Sequence, residues 1–282
     1  LQRLWLAIKD VGASHDSEVR YPPPQCHPDT RQEVLTILRK WIYNPSPEDQ
    51  CFWLYGPAGA GKSAIAQTIA ETGQQEDFLV SSFFFSRGDP NRSTAKYLFL
   101  SIAYGLAKSI PELQEPIALA IKGNPALLQV SLDEQFQKLV IEPCNMLVRL
   151  RRYPWLIVID GLDECYGTKE QRRVLFIIAR ALSKLTRFRF LICSRPEPSI
   201  RQAFNTDQYR PYLRRVALDE TFNPSRDIKK FLTASFKAIR RNPRNQHIRF
   251  PKPWPASGVV DELNQKASGQ FIYATTVVKF RK

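Results

Sequence analysis

The sequence predicts an α/β fold, a parallel five-stranded sheet covered by helices on both faces and followed by a small helical subdomain. Three observations predict it: short apolar runs bounded by turn residues, amphipathic stretches alternating with them, and a glycine-rich loop between the first clear pair. Of the 282 residues, 43% are apolar and only 24% charged, enough to bury a core and to exclude disorder for most of the chain. No stretch approaches the ~20 consecutive apolar residues of a spanning helix. The N-terminus lacks the pattern of a secretory signal.

Strands are expected at Cys51 to Tyr55, Leu79 to Ser86, Trp155 to Asp160, Phe188 to Ser194 and Arg214 to Leu218. Their near-continuous apolar character fits a parallel sheet buried on both faces. Helical spacing places Val174, Leu175, Ile178, Leu182 and Leu185 on one stripe, and Ile228, Phe231, Leu232, Phe236 and Ile239 on another. The stretch Ser93 to Leu150 lacks a strand candidate and reads as two or three helices, with Pro111, Pro116 and Pro143 as starts, breaks or a kink. After Leu218 only helices remain, at Asn223 to Arg241, Ser257 to Ala267 and Gly269 to Phe280. The expected organisation is a lead-in over residues 1–30 that contributes to the site, a core over 31–220 and a helical subdomain over 221–282.

The segment Gly56-Pro57-Ala58-Gly59-Ala60-Gly61-Lys62-Ser63, followed by Ala64, is a complete G-x-x-x-x-G-K-[ST] match, directly after a strand and before a helix. Glycines let successive backbone N–H groups turn toward a phosphate, and the helix N-terminus adds its positive dipole end. Lys62 is expected to reach the β- and γ-phosphates, and the Ser63 hydroxyl to ligate Mg²⁺. The fold expected is therefore that of a P-loop NTPase.

The run Trp155 to Asp160 ends in a carboxylate suited to be the second Mg²⁺ partner. Gly161 follows Asp160, so the acidic pair available to orient an attacking water is displaced to Asp163 and Glu164. The run ending in Ser194-Arg195-Pro196 delivers an arginine to the same sheet edge, where Arg195 can sense a γ-phosphate. No [NT]-K-x-D motif for reading guanine is present, so adenine is the expected base and ATP/ADP the expected ligand.

Together, GPAGAGKS, DGLDE and SRPEP resemble the NACHT-type NTPases of the STAND class, particularly the fungal branch related to the nephrocystin N-terminal NTPase region. The resemblance extends from Ala13 to Ser17 and Pro22 to Arg31 through to Ser268 to Thr275. It implies an ATP/ADP-controlled switch with slow hydrolysis that self-oligomerises and passes a signal to an effector domain. The implied site includes the segment before the P-loop, Cys26, His27, Thr30 and Arg31, although Asp29 stands where the family's glycine is expected. Relatives usually continue into a winged helix and sensor repeats. This chain begins with Leu1 and stops at Lys282, which reads as a fragment.

The charge is unevenly placed. Residues 1–150 hold 14 basic and 16 acidic side chains, and residues 151–282 hold 27 and 11, a balance of +16. That excess motivates an alternative, an AAA-like or nucleic-acid-dependent ATPase, and leaves contact with an anionic membrane open. The basic pairs lie on separate helices without a recognition pattern, so nucleic acid is the less favoured partner. Five widely spaced cysteines without a CxxC pair fit a reducing, cytoplasmic compartment. His15 and His247 read as solvated, Cys165 as a bystander and Trp254 as a packing anchor.

Overall fold

The computed structural model describes residues 1–44, 46, 48–147 and 154–280. Its centre is one sheet of five parallel strands, β1 (Cys51–Tyr55), β2 (Leu79–Phe84), β3 (Trp155–Asp160), β4 (Phe188–Ser194) and β5 (Leu213–Ala217), in the order β2-β3-β4-β1-β5. The expected strands thus form, with shifts of one or two residues at the ends of β2 and β5. Successive side chains of these apolar strands point to opposite faces. Trp53, Ile157, Ile159, Phe190 and Ile192 enter one core, while Phe52, Leu54, Leu156, Val158 and Leu191 enter the other.

Each core is closed by helices. On one face lie α1 (Gln2–Ile8), α4 (Leu98–Ser109), α5 (Gln114–Gly123), α6 (Leu132–Phe136), α7 (Glu142–Asn145), α8 (Thr168–Leu182) and α9 (Pro198–Phe204). On the other, α2 (Gln32–Ile42) contributes Leu38 and Trp41, and α3 (Lys62–Gln75) contributes Ile65, Ala66 and Ile69. The region expected to hold two or three helices holds four, with a π-helical turn over Gln137–Ile141 joining α6 to α7; residues 148–150 of that expectation lie outside the described residues. Pro111 opens a 3₁₀ turn and Pro116 sits in the first turn of α5, positions where a missing N–H costs little.

The remaining helices, α10 (Pro224–Arg241), α11 (Val259–Ala267) and α12 (Phe271–Phe280), build a separate core from Ile228, Leu232, Phe236, Ile239, Ala267, Ala274 and Val278. Trp254 sits edge-on to Phe236 at 5.5 Å and tilted on Phe250 at 4.5 Å, which ties the long α10–α11 connection to this core. Among the described residues no helix is long and apolar enough to cross a membrane.

The two sheet edges are treated differently. At β5 the edge is exposed and carries Arg214 and Arg215, charges that discourage pairing with another strand. At β2 the lead-in runs alongside, and Phe84 N–H donates to the Ala13 carbonyl at 2.9 Å. This corrects the reading of His15 as a solvated histidine. His15 is 9% exposed, its backbone N–H donates to Ser82 Oγ at 2.9 Å, and its ring nitrogens meet Ser82 Oγ at 3.0 Å and Gln74 Oε1 at 2.9 Å. The polar sequence around it gave no sign of burial because the partners come from β2 and α3. Replacing His15 with Ala removes both ring hydrogen bonds, leaves Ser82 Oγ only the backbone N–H of residue 15, and should cost about 1–3 kcal/mol in urea unfolding; an unchanged midpoint would show that the lead-in is not tied down through this side chain.

Candidate functional site

The P-loop leaves β1 at Gly56 and enters α3 at Lys62. Gly61 at φ 93 forms the left-handed turn that starts the helix. Gly59 has φ 75 and, in addition, a Cβ there would lie 2.4 Å from Ile272 Cγ2 of α12, so no larger residue fits. The first N–H groups of α3, including those of Lys62, Ser63 and Ala64, have no acceptor one turn back and point at the loop's concavity. Lys62 Nζ donates to the carbonyls of Gly56 and Pro57, both at 2.8 Å. Burial lowers its pKa, and the charges of Asp163 and Asp160 oppose that.

Asp160 closes β3 one strand away from the P-loop strand, with β4 between them. It is 4% exposed, and its Oδ1 has no hydrogen-bond partner. Burial pushes its pKa up to about 6, against a hydrogen bond from Ser63 and the charges of Arg20 and Lys62. A buried carboxylate oxygen without a partner, beside a serine hydroxyl, is a donor set suited to a hard divalent cation such as Mg²⁺, which takes few protein ligands and keeps waters and phosphate oxygens. Asp160 and Ser63 thus fit the metal expected from the sequence.

Asp163 and Arg195 face each other. Arg195 Nε donates to Asp163 Oδ2 at 2.6 Å and Arg195 N–H to Oδ1 at 2.8 Å, so both carboxylate oxygens are occupied. The hydrogen bond to Asp163 raises the arginine's pKa. Glu164 accepts from the Arg87 N–H through Oε2 at 3.0 Å, fixing the turn after β2. The two carboxylates expected to orient water therefore differ: Asp163 holds Arg195, and Glu164 retains one oxygen without a described partner. Gly161 lies between these turns at φ 70, with the Phe85 carbonyl 3.3 Å from where a Cβ would be.

The lead-in and the helical subdomain supply the other walls. Thr30 is buried and donates to the His27 carbonyl at 2.7 Å. Asp29 adopts φ 63, so the aspartate takes up the left-handed conformation for which a glycine was expected, one that Asp tolerates. Arg31 is 5% exposed and joins three parts of the chain: Nη2 donates to the Ala60 carbonyl at 2.7 Å, its N–H donates to Asp227 Oδ2 at 2.7 Å, and its guanidinium stacks over Phe271 at 4.8 Å. Its Nε and Nη1 are buried without partners, and burial lowers its pKa.

These parts enclose a cavity of about 710 Å³, a size that accommodates a nucleotide-sized ligand. The site residues expected from the sequence lie together around it, except that Gly56, Pro57 and Ala60 form the loop's outer turn. Pro22 to Pro24, within the lead-in expected to contribute, also line it, as do Phe231, Thr275 and Lys279, which were not expected there. Phe231 was legible only as part of an apolar stripe, and nothing in that stripe says that its N-terminal end turns toward another domain. Cys165, beside the site, is 2% exposed and pushed up to about 12 by burial, an unreactive thiol.

Fold and motif together define a P-loop NTPase. The family model described as nephrocystin 3, N-terminal, matches residues 30–195, and the chain belongs to that family. No curated protein matches it at a significant level. Among solved structures, the Walker-type ATPase paby2304 of Pyrococcus abyssi is similar with a TM-score of 0.51 at 15% identity, over 92% of this chain and 70% of that one. AMPPCP-bound DnaA from Aquifex aeolicus gives 0.46 at 13% identity, over 92% and 65%. Cdc6p from Pyrobaculum aerophilum gives 0.42 at 18%, over 78% and 53%. At 15% identity the likeness to the Pyrococcus abyssi ATPase is one of fold, and the chain spans less than two thirds of the DnaA and Cdc6p chains.

Asp160 gives a test of the site's electrostatics. Its pKa is raised in the fold, so the folded chain binds the proton more readily than the unfolded one, and stability falls as pH rises from about 4 through about 6. Asp160→Asn should therefore melt a few degrees higher than wild type at neutral pH without Mg²⁺, with the gap closing near pH 4; a lower melting temperature at neutral pH contradicts this account.

Proposed function

We propose that the chain is an ATP/ADP-binding switch of the NACHT/STAND signalling type, with slow hydrolysis and self-association in the ATP state. The observation that carries this reading is the origin of the cavity walls. They come from the core, the lead-in and the helical subdomain at once, so a ligand that fills the cavity is felt by all three. The proposed domain division, 1–30, 31–220 and 221–282, follows the same walls.

In this reading the N–H groups of Gly59 to Ala64 and the Lys62 ammonium hold the phosphates. Lys62 then exchanges the Gly56 and Pro57 carbonyls for phosphate oxygens. Ser63 and Asp160 hold Mg²⁺, which neutralises charge on the β- and γ-phosphates when bound. His27, edge-on to Phe231 at 5.7 Å, and the Pro22 to Pro24 wall offer apolar surface to an adenine ring. Thr30 and Arg31 support that wall and tie it to the P-loop.

Arg195 is the group that distinguishes the two nucleotides. A γ-phosphate competes with Asp163 for the guanidinium, and the exchange frees Asp163 at the moment the third phosphate is present. Glu164 keeps an oxygen for orienting water. A carboxylate that must first give up an arginine fits slow turnover, and the proposed partners are further copies of the chain in the ATP state together with effector and ligand-sensing domains.

Titration with ATP and ADP tests it. Lys62→Ala should weaken both by tenfold or more. Arg195→Ala should lower affinity for ATP while leaving ADP within about twofold, since only the third phosphate meets that side chain. Unchanged affinity in Lys62→Ala, or equal losses for both nucleotides in Arg195→Ala, would overturn the switch.

A further inference from the structure

Part of the positive excess of the second half lies in one stretch without an acidic residue. Between Asp227 and Asp261 the sequence holds no carboxylate. Within that interval Lys229 pairs with Asp261, and Lys230 donates to the Asp29 carbonyl. The other six cations, Lys237, Arg240, Arg241, Arg244, Arg249 and Lys252, are all exposed, and none makes an ion pair among the described residues. They occupy the last turns of α10 and the connection that follows. Asp227, which meets Arg31 beside the cavity, lies about 21 Å along the helix from Arg241 at 1.5 Å per residue. The nucleotide cavity is lined by none of the six.

This connection is held in shape. Asn245 Nδ2 donates to the Ile239 carbonyl at 2.9 Å, Trp254 packs back onto Phe236, and Phe250 packs on Trp254. Between those anchors Ile248 is 45% exposed, an apolar side chain set among the cations. Keeping like charges on one stretch opposes folding through their mutual repulsion, and among the described residues no ion pair offsets it at these six.

We infer that the segment from Lys237 to Lys252 is a docking surface for an anionic lipid bilayer. Four arginines and two lysines bracket an exposed isoleucine, so the cations meet headgroup phosphates while Ile248 enters the interface, and clusters of four to eight basic residues are the pattern that anionic leaflets attract. A nucleic acid fits less well. The nearby aromatic rings are stacked on one another and are not free to stack on bases, and the cations sit on a helix end and an irregular connection that has no groove-reading element. The inference stands apart from nucleotide binding. It places the helical subdomain's far end on a membrane while its near end lines the cavity.

The test is co-sedimentation of the 282-residue chain with phosphatidylcholine vesicles, alone and doped with phosphatidylserine. Binding is expected only to the doped vesicles. At about 1 kcal/mol per basic residue, a triple variant Arg240→Gln, Arg241→Gln, Arg244→Gln should bind on the order of 100-fold more weakly. A control of equal charge loss on α8, Lys169→Gln, Arg172→Gln, Arg180→Gln, should lose less than threefold, and circular dichroism melts should show both variants folded. Equal binding to both vesicle types, or equal loss in the α8 control, overturns the assignment. So does duplex DNA that binds more tightly than the doped vesicles and depends on the same three arginines, which would make the surface a nucleic-acid face.

Discussion

The site depends on the register of three buried strands. Asp160 of β3 pairs with Cys193 of β4, and Ser194 of β4 pairs with Tyr55 of β1, so the three strands end within one residue of each other. One residue further on, β1 releases Gly56 and β4 releases Arg195, while β3 has just delivered Asp160. Neighbouring strands lie about 4.8 Å apart, which brings the P-loop, the arginine and the carboxylates within side-chain reach. A one-residue slip would exchange the two faces of a strand and mismatch the packing of both cores, so the packing that fills the two cores also fixes the chemistry at their shared edge.

The order of the strands adds a second consequence. With β4 between β1 and β3, Arg195 emerges between Lys62 and Asp163, and its bond to Asp163 spans the two motifs. Around this edge the helical subdomain is drawn in by contacts of different kinds. Ile272 of α12 lies against Gly59, with its N–H 3.4 Å from the Gly59 carbonyl, and Arg31 bridges Ala60, Asp227 and Phe271. Burying a guanidinium with two unpartnered nitrogens is costly, and here the cost is set against a cation–π contact and charge-assisted bonds. The same residue is thereby sensitive to any shift between P-loop and helices.

Much of this was legible in the residues. Short apolar runs bounded by turn residues gave β1, β3 and β4 because burial on both faces leaves little room for polar exceptions, the edge strand β5 was legible despite its exposed Arg214 and Arg215, and the P-loop, Asp160 and Arg195 follow from where those runs end. What was not legible came from contacts across long separations. His15 reads as a solvated loop residue until β2 and α3 close on it. Phe231, Thr275 and Lys279 read as parts of helices whose inward faces are decided by packing against the lead-in. Asp163 and Glu164 form one acidic pair in sequence, and only the position of Arg195 and Arg87 separates their partners. Four α-helical segments lie between β2 and β3 where two or three helices were expected, because α6 and α7 are one run whose hydrogen-bond pattern changes at the π-turn, a change that periodicity does not register.

The central claim is that one cavity is shared by the core, the lead-in and the helical subdomain. Hydrogen exchange of the chain with and without ATP and Mg²⁺ tests it most directly. The account predicts new protection in three separated stretches, residues 56–64, 26–31 and 271–279, while residues 237–252 stay unchanged. Protection confined to the P-loop would contradict it, since the lead-in and α12 would then be bystanders to the nucleotide.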